Sequence, residues 1–403
     1  MYANKDQTYV TAPRTGVRSA LYYVFLLFVF FPYFRLVPTE TDMQPFAMLS
    51  AIGLFFLFRK KISTAEIGLF ITFLTSVLIF LVDAKTLVAV RSFFNYASLF
   101  FIAYVSYRVL RSRKINFESF FLFSFLLWFS VSLVQTFYDN AFLSFMVSAS
   151  RTTDDRGVTG FAPEPTFLGV VFIFFIVIAL HLQHLKYRKL IISLSIISVL
   201  FFAKSTMVTV FLALMLLIFL LTHFGVRSIF LAFLSFIFVY YLFSFLEGSR
   251  VHRLMGLLIE EPSSLLLVDA SINDRFFHVF FSLKGFFENL FIPNGFNSWV
   301  PYVSSQLPSY KDVVIVEGFS LGGRIMSGYG GAFFELGIFF ILVPIMMTFL
   351  LFKIYRSNIN KFIFFSVFMN LIMFSAIPIG FPLFAFYLGL LSFLNERKKI
   401  YED

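Results

Sequence analysis

The sequence predicts an all-α, polytopic membrane protein. Its 403 residues are 59% hydrophobic and only 13% charged, with a mean hydropathy of +0.88. Apolar runs of roughly 16 to 22 residues recur along the chain, each long enough to cross a ~30 Å hydrocarbon layer as a helix. The runs are continuous rather than alternating. Because backbone polar groups in lipid must pair within their own segment, that pattern selects helices over a closed barrel.

Read in order, the first run covers 19–37. It contains Pro32 and lacks a small-residue cleavage site, so it reads as a retained helix rather than a removed signal peptide. Runs at 44–58, 64–82, 87–107 and 116–137 follow, then a long connection, 138–165, and a run at 166–185. The stretch 190–222 divides into 190–203 and 206–222 at AKST. Lys204 at the centre of a bilayer would cost ~2.5 to 3.5 kcal/mol, but next to nothing at an outer turn. A run at 228–246 precedes the longest connection, 247–330, and runs at 331–352, 361–377 and 382–394 complete twelve expected helices. The chain thus divides into 1–246 (nine helices, including the outer connection), 247–330 (a large periplasmic loop) and 331–403 (three helices and a cytoplasmic tail).

The net charge of +10 follows from topology. Short basic clusters, among them RKK at 59–61, RVLRSRK at 108–114, KYRK at 186–189, KIYR at 353–356 and RKK at 397–399, fall on alternate connections. The positive-inside rule then puts both termini in the cytoplasm, and no nucleic-acid partner is needed to explain the charge. The chain has no cysteine and only 5 histidines, which excludes disulfides and thiolate sites and leaves no metal-ligand spacing. No metal or cofactor is expected.

Chemistry is expected in the two long outward connections, which keep aromatic and aliphatic residues and so are not disordered in composition. The first carries ASRTTDDRGVTGFAPEPTFLGV, 149–170, with Arg151, Asp154, Asp155, Arg156 and Gly157. Pro163 and Pro165 fix the backbone around Glu164, holding a carboxylate at the membrane surface. The alternatives are a Glu164 that complements a helix N-terminus, worth ~0.3 to 1 kcal/mol, and a solvated, self-paired RTTDDR loop.

The second contains DASINDRFFHVFFSLKGFFENLFIPNGFN, 269–297. Apolar residues at helical spacing predict an amphipathic helix over 271–291 lying at the outer interface, with Asp274, Arg275, His278, Ser282 and Asn289 on its solvated face. Ser271 and Asp274 have capping-box spacing. Next comes EGFSLGGRIMSGYGGAFFELG, 317–337, whose glycines suit an anion nest and whose Arg324 is a candidate anion ligand. It contains no nucleotide-binding P-loop. Glu335 reads either as a buried polar partner or as a helix-start charge. Arg91, inside the fourth run one turn before Asn95, is a further candidate, with outward snorkelling as its ordinary alternative.

Taken together, the twelve-helix layout, RGVTGFAPEPTFLGV, the AKST turn, Arg275 with IPNGF, and SGYGGAFFELG resemble the O-antigen polymerase (Wzy) family of bacterial polysaccharide assembly. The resemblance implies a GT-C-like membrane glycosyltransferase of the bacterial inner membrane. Such an enzyme moves a growing glycan from undecaprenyl diphosphate to a new lipid-linked repeat unit at the periplasmic face. Undecaprenyl-diphosphate-linked oligosaccharide and membrane lipids are the implied partners, and a chain-length-regulating co-polymerase is a candidate. Departure of a diphosphate develops charge that arginines hold well, which assigns Arg156, Arg275, Arg324, Lys204 and Arg91 to that group. Glu164 is the first candidate for the base that takes the acceptor proton and His278 the second. Two rivals remain. An O-antigen ligase is disfavoured because 317–337 has no His and the turn reads AKST; a lipid-linked sugar flippase or secondary transporter is disfavoured because charges gather at outer ends rather than mid-membrane.

Overall fold

A computed structural model describes residues 16–402 apart from 38–40, 59–65, 84–85, 113, 149, 153–156, 223–224, 226–252, 255, 258–259, 262–263, 316–318 and 320–323. Among the described residues the regular structure is entirely helical. The helices are α1 (Val17–Phe30), α2 (Phe46–Leu57), α3 (Ile67–Val82), α4 (Leu87–Arg111), α5 (Phe117–Phe137), α6 (Pro165–His181), α7 (Arg188–Ile197) and α8 (Thr206–Thr222). Beyond residue 252, after a single helical turn at Leu265–Val268, come α9 (Ala270–Glu288), α10 (Trp299–Gln306), α11 (Gly328–Leu336), α12 (Leu342–Tyr355), α13 (Ile359–Ile372) and α14 (Pro382–Glu402). The expected helix at 228–246 lies outside the described residues.

Among the described residues three stretches are long and apolar enough to cross a membrane: Leu87–Arg111, Phe117–Phe137 and Gly328–Tyr355, the last running through α11, a tight turn and α12. Shorter apolar helices flank them. Large aliphatic side chains such as Leu74, Leu78 and Leu81 of α3 point outward, as lipid contact requires. These features are those of a membrane protein.

The core is built on α6, α4 and α14. In α6 every residue from Leu168 to Ala179 is buried, which is why VVFIFFIVIA has no polar face. Helices α4 and α14 pack closely because Gly389 has no side chain: a Cβ there would lie 2.5 Å from the Ala103 carbonyl oxygen. Phenylalanines fill the remaining space edge to face, as around Phe30, where Phe120, Phe121 and Phe386 meet one ring.

The bundle has two chemically different ends. At the basic end, Arg108 is buried in an ion pair with Glu66 beneath the Tyr104 ring, and Arg111 pairs with Glu396 at 2.8 Å. The opposite end gathers the connections after α1, α3, α5 and α7 together with the segments flanking α9 and α11. There Asp83 accepts a hydrogen bond from the Phe296 amide, and Thr86 bonds to Asn297, pinning the IPNGF turn on the α3–α4 connection.

Candidate functional site

In the connection between α5 and α6, residues 157–163 form a buried strap that leads into α6. Gly160 adopts a left-handed conformation (φ 59°), and the Gln135 side chain clamps it by accepting from its N–H at 2.6 Å and donating to its carbonyl at 3.1 Å. A side chain at 160 would meet Leu168 at 2.8 Å, so this position needs glycine twice over. The strap then lies on the turn after α7: the Val158 amide donates to the Phe202 carbonyl at 2.8 Å, and Thr166 bonds to Ser205 at 2.9 Å. The chain does break at AKST, with Lys204 left-handed (φ 45°) between the end of the α7 turn and the start of α8. Lys204 is exposed there, beside the strap.

The strap delivers a charged group to the end of the bundle. The Arg151 amide donates to the Pro163 carbonyl, and its guanidinium reaches Asp42 at 2.7 Å and Glu164 at 2.9 Å. Glu164 is the N-cap residue of α6, but its side chain accepts no capping bond, so its carboxylate is committed to Arg151 and not to the helix terminus. Arg151 also reaches beyond its own connection, since Asp42 belongs to the α1–α2 connection; whether Asp154, Asp155 and Arg156 pair with one another lies outside the described residues. Burial pushes the Arg151 pKa down, and hydrogen bonding and attraction from Asp42, then Glu164, more than offset this, holding the guanidinium above its ordinary value.

Arg324 joins this group. Burial pushes its pKa below the ordinary value, Asp42 pushes it back up, Arg91 pushes it down again, and Tyr33 and Glu164 raise it. Three connections and α4 therefore supply the group: Arg151 pairs with Asp42 and Glu164, and Arg324 lies within electrostatic range of Asp42, Tyr33, Glu164 and Arg91. Arg91 is exposed on the second turn of α4. Arg156, with Asp154 and Asp155, lies outside the described residues, so the convergence of Arg156 with Arg275 stays an expectation.

Helix α9 is placed otherwise than its pattern suggests. Its buried face is Asn273, Asp274, Phe277, His278, Phe281 and Ser282, packed towards α10 and α11, whereas Phe276 and Phe287 point outward. His278 is therefore not on a solvated face. It is fully buried, stacked against Phe319 (4.8 Å) and Trp299 (5.2 Å); its Nδ1 accepts the Met326 amide at 3.1 Å and its Nε2 lies 3.3 Å from Asp274. An imidazole so enclosed positions the 324–327 segment instead of meeting a substrate hydroxyl. Arg275 is half-buried three residues earlier. The expected capping role of Ser271 and Asp274 falls to Asp269, whose carboxylate accepts from the Ser271 and Ile272 amides.

The anion nest does not form at Gly328, Gly330 and Gly331. Their amides are spent on the Ser375 carbonyl, the Ser327 hydroxyl and the Ser327 carbonyl, the last two closing the first turn of α11. Glu335 is a half-buried polar partner, accepting from Ser92 at 2.7 Å and Tyr96 at 2.5 Å. Among the described residues no cluster of acids and histidines suits a metal ion.

Sequence reading missed Asp42 and Tyr33. The signal was TETDMQP, an acidic pair in a short connection between two apolar runs. Comparison with protein-family models, curated proteins and solved structures gives no significant match to this chain.

Proposed function

We propose that the chain is a polysaccharide repeat-unit polymerase of the Wzy type, a GT-C-like inner-membrane glycosyltransferase with twelve spanning helices. Both termini and the basic end of the bundle lie in the cytoplasm, and the Arg151 end faces the periplasm. The observation that carries this reading is the shared group at that end. Two carboxylates from different connections bind one guanidinium, Arg151, and a second arginine, Arg324, lies within their field.

Such a group suits transfer between lipid-linked glycans. An acceptor hydroxyl oxygen attacks the anomeric carbon of the donor; the bond from that carbon to the diphosphate oxygen breaks, and its electron pair leaves with undecaprenyl diphosphate. Arg324, Arg91 and Lys204, with Arg156 and Arg275, supply cations for the departing diphosphate. Glu164 takes the acceptor proton, held in place by Arg151. The clustering of charge at one end of the bundle favours bond formation at the surface over passage through the middle, where a transporter would bind its cargo.

The test uses the purified protein in lipid vesicles with undecaprenyl-diphosphate-linked repeat units. Lengthened lipid-linked glycan with release of free undecaprenyl diphosphate is the expected result. Transfer only onto a lipid A core acceptor would make the chain a ligase. Movement of the lipid-linked sugar between leaflets with no new glycosidic bond would make it a flippase.

A further inference from the structure

A groove of about 520 Å³ runs between α3, α12 and α14 on the basic half of the bundle, well away from the charged group at the other end. Its walls are apolar for most of its length: Ile71 from α3, and Leu342, Ile345 and Phe349 from α12. Ile345 and Phe349 are half exposed, so the groove opens sideways rather than into the core. Polar groups occur at one extremity only. There the Lys353 ammonium lies 4.1 Å over the Phe349 ring, and Glu396 closes the groove from α14.

Two features say what fits. The first is length. From Leu342 to Lys353 α12 advances eleven residues, about 16 Å at 1.5 Å per residue, which equals half of a ~30 Å hydrocarbon layer. A groove that is apolar over one leaflet's depth and then ends in charge has the shape of a single lipid. A packed helix or a second copy of the chain would be expected to continue across both leaflets.

The second feature is the sign of the charge. The Glu396 carboxylate is neutralised by Arg111 at 2.8 Å and accepts from the Tyr107 hydroxyl at 2.7 Å. Lys398 lies against the same corner, donating to the Lys353 and Ile354 carbonyls at 3.3 and 3.0 Å. Among the described residues no carboxylate pairs with Lys353, whose long stem lets its charge reach the interface. The corner therefore carries a net positive charge at headgroup depth, where a basic pocket between membrane helices attracts anionic lipid.

We propose that this groove binds one anionic diacyl phospholipid of the leaflet on the basic side, with its acyl chains along α12 and its phosphate at Lys353. The site is separate from glycan transfer and stands whether or not that reading holds.

The experiment is native mass spectrometry of the full chain released from mild detergent after exposure to equal amounts of dioleoyl-phosphatidylglycerol and dioleoyl-phosphatidylcholine. One retained lipid per chain is expected, with the anionic lipid favoured about fivefold, the scale of one basic residue near the membrane surface. Lys353→Gln should lower that preference, with Lys398 leaving a smaller one. Ile345→Trp, or Ile71→Trp from the opposite wall, should abolish retention of both, with thermal melting recorded for each variant and the Trp variant that melts like the parent deciding the outcome. Equal retention of the two lipids by the parent chain would overturn the proposal. So would undiminished retention in the deciding Trp variant, or a lipid-free dimer that covers the groove.

Discussion

The two ends of the bundle use similar residues to opposite purpose. At the basic end, Glu66 and Arg108 face each other with side chains only 3% and 4% exposed, and a tyrosine ring covers the guanidinium. At the other end, Arg151 is 47% exposed, and its partners Asp42 and Glu164 are 19% and 25% exposed. A closed pair has its charges fully committed and acts as part of the core. An open group keeps charge available to something that arrives. Burial, and not the presence of an ion pair, therefore separates a structural cluster from a candidate site in this molecule.

The largest effect should come from opening the closed pair. Glu66→Gln leaves Arg108 buried with a neutral neighbour, and breaking a buried pair in this way costs about 3 to 5 kcal/mol. Thermal unfolding in detergent should show a large loss of stability or no folded protein. A melting temperature close to that of the parent would mean that water or the Tyr104 ring suffices for Arg108, and the contrast between the ends would collapse.

Arg324→Ala comes next and acts in the opposite sense. The protein should insert and melt almost normally, while glycan transfer falls by about 10² to 10³, the usual penalty for removing one group that stabilises developing negative charge. Arg324→Lys should recover part of the rate, because a point charge remains without the bidentate fork. Equal losses of folded protein and of transfer would turn Arg324 into a structural residue.

Gln135→Ala tests whether the open end depends on its scaffold. It leaves the Gly160 N–H and carbonyl without their shared partner, a loss of about 1 to 3 kcal/mol confined to the strap. Faster proteolytic cleavage between α5 and α6, with the rest of the bundle intact, is the expected readout.

What the sequence disclosed follows the same division. Helices in lipid are dictated by local composition, so runs such as 116–137 and 206–222 map almost residue for residue onto α5 and α8. The PEP clamp and the AKST break were legible for the same reason, since proline and a lone lysine act locally. Pairings between distant connections were not. Nothing in TETDMQP names Arg151 as the partner of Asp42, because the two meet only after α1, α2 and the strap are packed. Periodicity misled at α9, where Asp274, His278 and Ser282 of the expected solvated face are covered together with Phe277, Phe281 and Phe286. Asp274 and His278 turn inward because the Met326 amide gives the imidazole a partner, while Phe276 is left outward. The covered face is a mixed one, in which each polar group is admitted because a partner meets it: Asn273 donates to the Leu266 and Val313 carbonyls, and His278 accepts from the Met326 amide.

The smallest effects on stability should come from Asp42→Asn and Glu164→Gln, and their comparison is the finest test of the open group. Each variant leaves Arg151 one charged carboxylate, and ion pairs this exposed contribute below about 1 kcal/mol, so neither should shift melting appreciably. Their effects on transfer should differ. Glutamine at 164 keeps the shape and the link to Arg151 but cannot accept the acceptor's proton, so donor binding should persist while turnover drops. Asparagine at 42 withdraws charge from Arg151 and Arg324 together without touching the proton acceptor. A modest fall in turnover with tighter donor binding is expected, because two cations are then less neutralised. Identical kinetics from the two variants would mean that the carboxylates serve Arg151 interchangeably and that the base lies elsewhere.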